Sequence, residues 1–401
     1  MILPDVSYRF CEITIFAAKL FFMSKTIQQL HIGILGGGQL GRMLIQNAIN
    51  LNLTISVLDP DKNAPCKNLV KKFTQGSLTD YETVYDFGKD KDLITIEIEN
   101  VNIEALKALE KEGKKVFPQP HIIELIQDKG SQKMFYQRNN IPSPDFFLVE
   151  NKKQIAKYAD YFPFFQKLRK GGYDGKGVTK LVSPHHLDKA FEEPSVLERL
   201  VDFDKELAVV VARSESGEIK CFPVVECEFN PEANLVEFLF SPANIKKTVE
   251  KEAIRLATTV AEKLGVVGLL AVEFFLTKDG KLLVNEVAPR PHNSGHHTIE
   301  ANVTSQFEQH LRAILNLPLG DTSIVRAGVM VNLLGDFGYE GTAIYQGMED
   351  VLKFSGVYVH LYGKATTKPF RKMGHATIVD DDILKAKQKA RMVKTTLKII
   401  A

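Results

Sequence analysis

Short apolar runs, glycine turns and stretches of helical periodicity organise the first third of the chain. Ile32-Gly33-Ile34-Leu35 is an apolar run, Gly36-Gly37-Gly38 turns it, and Leu40, Leu44, Ala48 and Leu51 then recur at helical spacing. Thr54 to Asp59 and Leu93 to Glu99 read as further strands. Glu104 to Glu110 reads as a helix that stops near Gly113, and Val116-Phe117-Pro118 closes the unit. Strand, helix and strand in alternation predict a parallel sheet with helices on both faces.

The pattern then changes. Ile141-Pro142-Ser143-Pro144 breaks the next helix and marks a boundary. Phe162 to Val201 reads as short strands around a glycine-rich loop, a small separate lobe. Val209 to Phe240 alternates as antiparallel strands do, and Thr248 to Leu264 is a helix stopped by Gly265. Residues 325–380 return to short strands, and Asp380-Asp381-Asp382 opens a last helix with Lys and Arg gathered toward its end, the order the helix dipole favours.

Composition narrows the class. The chain is 44% hydrophobic and 25% charged, which excludes a disordered or collagen-like polypeptide. Lys plus Arg (51) nearly cancels Asp plus Glu (49), so no global charge draws the chain to nucleic acid or anionic lipid. No apolar run reaches the roughly 18 residues of a membrane span. Ile13 to Met23 is apolar but interrupted by Lys19, preceded by Asp5 and followed by no small-residue cleavage site. Residues 1–24 are predicted to be a disordered appendage, with Met23 a second candidate start. Cys11, Cys66, Cys221 and Cys227 have no zinc-ligand spacing and read as reduced thiols of a cytoplasmic protein.

Two loops and one hairpin carry candidate chemistry. Gly36 to Gly41 fits G-x-G-x-x-G between strand and helix, and Asp59 ends the next strand. Three readings stand: a dinucleotide fingerprint, another phosphate ligand at a helix N-terminus, or a plain tight turn. In the hairpin, Ala271 to Thr277 and Leu282 to Val287 flank Lys278-Asp279-Gly280-Lys281. A two-residue Asp-Gly loop would set Phe274 opposite Asn285 and Glu273 opposite Glu286, two carboxylates among apolar neighbours. A divalent cation between them resolves the repulsion, and Mg²⁺ suits Glu and Asn oxygens. The alternatives are a solvated face or one carboxyl held protonated. A one-residue slip would remove the pairing.

Lys167 lies in the apolar run 164–168, and Arg169 to Gly177 packs four glycines beside cations, a flexible loop suited to a nucleoside triphosphate although not a Walker A sequence. Glu198 and Glu206 follow. Asn285 to His297 crowds donors behind the carboxylate pair, and Arg290, His292, Asn293 and Ser294 fit a small oxyanion. His292, His296 and His297 lack the H-E-x-x-H spacing of zinc sites. Lys364 and the Lys368 to His375 segment form a second cationic cluster.

Lys129, Lys167, Gly171 to Gly177, Glu198 to Glu206, Glu273 and Asn285-Glu286 together resemble the ATP-grasp superfamily. Within it, Gly36 to Met43, Gly171 to Gly177, Asn285 to His296 and Arg371 to His375 are similar to the N5-carboxyaminoimidazole ribonucleotide synthetases, over about residues 28–400. The resemblance implies an α/β fold (α+β overall). Residues 25–128 would be a Rossmann-like pre-ATP-grasp domain and 129–205 a lid lobe. Residues 206–325 would be the large ATP-grasp lobe with the metal site, and 326–401 a small β-rich domain. It implies a ligase of purine synthesis that carboxylates 5-aminoimidazole ribonucleotide with bicarbonate and ATP. Its cofactors would be ATP and Mg²⁺, with Mn²⁺ as an alternative. Its partners would be these small molecules, a second copy of the chain and a separate mutase, with neither nucleic acid nor membrane.

The resemblance also implies residue roles. Lys129 and Lys167 would hold phosphates, with Gly172, Tyr173, Asp174, Gly175, Lys176, Gly177 and Val178 closing over them. Backbone at Arg199, Leu200 and Val201 would read adenine, Glu206 the ribose, with Glu198, Glu226, Asn285 and Glu286 bordering the nucleotide. Glu273 and Glu286 would be the metal ligands. Gln39, Leu40, Glu99, Tyr173, Asp174, Arg290, Lys364 and Arg371 would line the ribonucleotide side, and Arg290, His292 and Asn293 would stabilise carboxyphosphate. Lys129 stands where many relatives have Arg, keeping the charge without the fork, and Phe370 replaces a common Gly. Rival readings are another ATP-grasp ligase (a formate-using transformylase or a biotin-dependent carboxylase), an NAD-dependent dehydrogenase built on the first glycine loop, and a non-catalytic binding protein.

Overall fold

Short Val-, Ile- and Leu-rich runs buried on both faces pair in parallel because helices cover each side. The structure, a computed structural model, describes residues 25–172, 177–230 and 235–401. The predicted appendage 1–24 and four residues of the second glycine loop, Tyr173, Asp174, Gly175 and Lys176, lie outside the described residues. The N-terminal strands are β1 (His31–Leu35), β2 (Thr54–Asp59), β3 (Lys72–Gln75), β4 (Leu93–Ile96) and β5 (Lys115–Val116). They run parallel in the order β3-β2-β1-β4-β5, as the alternation predicts. Asp80 and Asn102 cap the two following helices by accepting the backbone N–H of Thr83 and Ala105. Strand β4 stops at Ile96 instead of running to Glu99, because Glu97 turns back under the glycine loop.

A four-stranded antiparallel lobe follows: β6 (Phe146–Val149), β7 (Phe164–Leu168), β8 (Val178–Leu181) and β9 (Ser195–Arg199), ordered β6-β9-β7-β8. Val149, Ile155, Phe164, Leu181 and Leu197 give it its own small core.

The largest sheet is antiparallel. Its strands are β10 (Phe203–Arg213), β11 (Ile219–Cys221), β12 (Val225–Asn230), β13 (Leu235–Ser241), β14 (Gly268–Thr277), β15 (Leu282–Ala288) and β16 (Ala327–Leu334). Two short ladders, β17 (Gly341–Thr342) with β20 (Thr366–Thr367) and β18 (Ile344–Gln346) with β22 (Lys398–Ile400), flank its far end. With β19 (Val357–Leu361) and β21 (Lys372–Asp380) the main order is β15-β14-β10-β12-β13-β16-β21-β19. The strands of 326–401 therefore continue the sheet of 206–325 across the β13–β16 ladder. The helix Lys247–Leu264 buries its apolar stripe against Leu207, Val209, Phe274 and Val284, and Gly265 ends it at φ 66°.

The β14–β15 hairpin departs from expectation twice. Its loop has three residues, not two: Thr277 N–H donates to the Lys281 carbonyl at 2.9 Å, and Gly280 takes φ 83°. This is the glycine-bulge turn, whose twist matches the strands. Leu276 accordingly pairs with Leu282 and Phe274 with Val284, one residue out of the predicted register. A second irregularity between Val272 and Phe274 restores Val272 opposite Val287. Asn285 and Glu286 therefore both stand opposite Glu273, so the predicted neighbours meet through a bulge rather than a regular ladder.

Candidate active site

The bulge sets oxygen donors where the lobe's cations converge. Lys129 begins the helix Lys129–Arg138, whose N-terminus Asp128 caps through the N–H groups of Gly130 and Ser131. Its Nζ lies 2.8 Å from Glu286 Oε2. Lys167, on β7, reaches Glu198 Oε1 at 2.8 Å and Asn285 Oδ1 at 3.3 Å. Lys133, one turn beyond Lys129 on the same helix, lies 2.5 Å from Glu198 Oε2 and donates to the Asn285 carbonyl at 3.3 Å. Lys133 was not anticipated from the sequence, although its i+4 offset from Lys129 was a readable signal. Arg169 forks onto Asp128 at 2.9 and 2.7 Å, bracing the start of the second glycine loop against this helix.

The electrostatics follow from burial. Burial pushes Glu198 up, but Lys167 and Lys133 outweigh it and hold the carboxyl below its usual range. Burial pulls Lys133 down against the opposing charge of Glu198. Lys129 holds Glu286 low, while burial and the Glu286 charge push Glu273 up. Glu206 shares the face of Glu273, since Ala208 pairs with Glu273 and Glu206 with Phe275, and burial raises it to about 7. Glu226 does not join them. It pairs with Leu207, on the opposite face of β10, bonds Lys205 at 2.7 Å and accepts the Asn244 N–H.

This conflict of carboxylates is the test for a metal. Glu273 and Glu286 repel across a bulge that also presents the Asn285 amide oxygen. Among the described residues no group of three or more His, Cys, Asp or Glu side chains is arranged to hold a metal by itself. Mg²⁺, which takes one or two carboxylates and completes its shell with waters and phosphate oxygens, fits such a pair.

Beyond the hairpin the chain turns toward the N-terminal domain. Arg290 Nε lies 2.9 Å from Glu99 Oε1. His292 Nε2 lies 3.6 Å from Glu273 Oε1, and its Nδ1 accepts the Ser294 N–H at 3.3 Å and lies 2.9 Å from the Ser294 hydroxyl. His296 and His297 turn into the core, where burial pushes both below the usual imidazole value, His297 to about 3. Lys364 Nζ donates to Gln39 Oε1 at 2.8 Å, joining the C-terminal strands to the first glycine loop, while Leu40 packs against the N-terminal core. Arg371 donates to Thr366 and lines a cavity of about 510 Å³ with Lys368 and Thr367.

The first glycine loop is a correction to the dinucleotide reading. Three of its N–H groups are taken by the protein's own acids. Gly37 donates to Asp59 at 2.6 Å, and Gly38 and Gly41 donate to Glu97 at 2.7 and 2.8 Å. A Cβ on Gly38 would fall 2.5 Å from Glu97 Oε1, so the glycine leaves room for that carboxylate. Asp59, the expected ribose ligand, is spent in the same turn. Glu97 was missed as a partner because the strand was read through it.

The antiparallel lobe, the bulged hairpin and the lysine pair together define an ATP-grasp ligase. Family models match the same segments: a ribonucleotide synthetase preATP-grasp domain at residues 29–127, an ATP-grasp domain at 134–307 and a phosphoribosylaminoimidazole carboxylase C-terminal domain at 328–389. The chain belongs to the N5-carboxyaminoimidazole ribonucleotide synthase family. It is 38% identical to the N5-carboxyaminoimidazole ribonucleotide synthase of Bacillus subtilis, over 87% of this chain and 91% of that one. It is 40% identical to the chloroplastic phosphoribosylaminoimidazole carboxylase of Vigna aconitifolia over 89% of this chain, but spans only 65% of that protein's length. Among solved structures it is similar to the N5-carboxyaminoimidazole ribonucleotide synthetase of Thermotoga maritima, with a TM-score of 0.86 at 44% identity, covering 93% of this chain and 100% of that one. It is also similar to the synthase of Aspergillus clavatus in complex with ADP and 5-aminoimidazole ribonucleotide, with a TM-score of 0.84 at 31% identity, covering 92% and 99%.

Proposed function

We propose that this chain joins bicarbonate to the amine of 5-aminoimidazole ribonucleotide at the expense of ATP, giving N5-carboxyaminoimidazole ribonucleotide, ADP and phosphate. The observation that carries the reading is a junction. His292 stands 3.6 Å from the metal-type carboxylate Glu273, while Arg290, two residues earlier, is paired to Glu99 of the N-terminal domain. One short loop thus touches a phosphoryl-transfer centre on one side and the domain of the first glycine loop on the other.

The chemistry has two steps. Bicarbonate oxygen takes the γ-phosphoryl group, forming carboxyphosphate and releasing ADP. The ribonucleotide amine then takes the carboxyl group, directly or as released CO₂, and phosphate leaves. Bound at Glu273 and Glu286, Mg²⁺ would neutralise phosphate charge during the first step. Lys129 and Lys167 hold the phosphates, and Lys133 balances Glu198 so that the charge of Lys167 remains for the nucleotide. Backbone from Arg199 to Val201 reads the base, and Glu206, raised by burial to about 7, bonds the ribose. Arg290, His292 and Asn293 surround the carboxyphosphate oxygens. Gln39, Glu99, Lys364 and Arg371 line the ribonucleotide side, where the two cations suit its phosphate.

We further read the enzyme as a cytoplasmic homodimer whose product passes to a mutase. The free thiols of Cys66, Cys221 and Cys227 accord with a reducing compartment. No helix among the described residues is long and apolar enough to cross a membrane. A coupled assay of ADP release tests the activity. Release should require both bicarbonate and 5-aminoimidazole ribonucleotide, with N5-carboxyaminoimidazole ribonucleotide formed one for one. A requirement for formate, or tight NADH binding without ATP binding, would overturn the assignment.

A further inference from the structure

We propose that Gln306 and Asn332 are positioning residues, a pair of buried amides that clamp His292 and Asn293 at the reacting centre. The inference rests on the function proposed above and concerns how that site is held. His292 and Asn293 belong to a connecting loop between β15 and the helix Thr298–Ala301, with only a single turn at Asn293–Gly295 of its own. A loop holds side chains to a fraction of an ångström only when a rigid element grips it.

Gln306 supplies one grip. It is wholly buried and begins the helix Gln306–Ile314, which Ser305 caps through the Glu308 N–H. Its Oε1 accepts the His292 N–H at 2.9 Å and its Nε2 donates to the His292 carbonyl at 2.7 Å. One side-chain amide thus pairs with both backbone groups of one residue, as a neighbouring strand would. The same Nε2 lies 3.1 Å from His296 Nδ1. Gln306 N–H also donates to Thr298 Oγ1 at 2.8 Å, and that hydroxyl donates to the Gly295 carbonyl at 2.6 Å. Residue 295 is glycine because a Cβ there would fall 2.5 Å from Gln306 Oε1.

Asn332 supplies the other grip, from β16 in the C-terminal part of the sheet. Its Nδ2 donates to Asn293 Oδ1 at 2.8 Å and to the Val236 carbonyl at 2.7 Å, and its Oδ1 accepts from Asn293 Nδ2 at 3.1 Å. This reciprocal pair fixes the plane of the Asn293 amide and uses only one of its two amide hydrogens. Apolar side chains at 306 and 332 would serve the core at least as well, since a buried amide is tolerated only when bonded. The two amides spend their bonds on the loop that carries the proposed carboxyphosphate ligands, and on His292, whose Nε2 is thereby aimed at Glu273.

The test is a double-mutant cycle on the full chain. Asn332→Leu should lower bicarbonate- and ribonucleotide-dependent kcat on the order of 10²-fold, the loss that a 1 Å misplacement causes, with KM for ATP changed less than about twofold. In an Asn293→Ala background the same substitution should add nothing, because it acts through Asn293. Gln306→Met should reproduce the kcat loss, and if that variant fails to fold the Asn332 cycle decides alone. Unchanged kcat in Asn332→Leu, or a loss that multiplies fully with that of Asn293→Ala, overturns the proposal. Should the wild-type chain lack this turnover, the functional reading fails and the clamp is judged by hydrogen exchange of residues 291–296. Faster exchange there in either variant supports it, and unchanged protection overturns it.

Discussion

Glu198→Gln separates charge from shape at the centre of the lysine cluster. Glu198 is 2% exposed and its two oxygens lie 2.5 and 2.8 Å from the Nζ atoms of Lys133 and Lys167. Glutamine keeps the volume and removes the charge both cations share. Lys167, with its side chain 15% exposed, retains some hydration, whereas Lys133 at 5% does not. Stranding one buried ammonium costs about 3–5 kcal/mol. At about 2 °C per kcal/mol for a chain of this size, melting at pH 7 should fall by roughly 6–10 °C. The pH dependence then identifies the cause. Burial already draws Lys133 down and Glu198 opposes it, so without Glu198 its folded value drops further below the unfolded value of about 10.4. A cation with a depressed folded pKa loses stability as pH falls below its unfolded value, and regains it as pH rises. The gap to wild type should therefore narrow between pH 7 and pH 9.5. Wild-type Glu198 is held low, so its contribution is lost only in acid, outside that window. Melting curves in parallel at the two pH values check this. A gap below about 2 °C at pH 7, or one that does not narrow by pH 9.5, would refute the reasoning.

Other outcomes follow from the same geometry. Glu286→Ala should abolish ADP release, by more than about 10²-fold, while circular dichroism keeps the wild-type signature, since losing the Lys129 ion pair is partly offset by relief of the repulsion on Glu273. Wild-type-like turnover would remove the metal assignment. His310 is buried, bonded to Thr95 and the Leu269 N–H, and burial lowers it to about 3. A neutral buried imidazole stabilises above the unfolded value near 6.5 and loses that contribution as pH falls. The stability advantage of wild type over His310→Asn, measured by urea titration, should therefore shrink by about 2 kcal/mol between pH 8 and pH 5. An advantage that stays constant would show that His310 titrates normally.

Much of the site was legible because its chemistry sits in contiguous segments. Lys167 on its apolar strand, the Asp-Gly hairpin carrying Glu273 and Glu286, and the donor-rich run after Asn285 each read as local motifs, and the structure brings them together. Glu226, set beside the nucleotide only by the resemblance, lies on the opposite face of β10 from Glu206, because strand alternation, not sequence distance, decides which side chains meet. Lys133, Glu97, Gln306 and Asn332 did not read as functional at all. Their partners lie on other elements, and beyond the i+4 offset of Lys133 from Lys129 none of them carries a local signature.

The hairpin shows where the division falls. Alternation and turn chemistry, both short-range, determined that two strands would bring Glu273 near Glu286. The pairing itself came from two compensating irregularities, a three-residue turn and a bulge, which only packing against the rest of the sheet selects. The first glycine loop shows the same division from the other side. Its glycines determined a tight approach of something anionic to a helix N-terminus, but hydrogen-bond donors do not specify the source of their acceptor. The tertiary structure supplied Asp59 from β2 and Glu97 from just past β4, the two strands that flank β1, so a dinucleotide fingerprint became an internal brace.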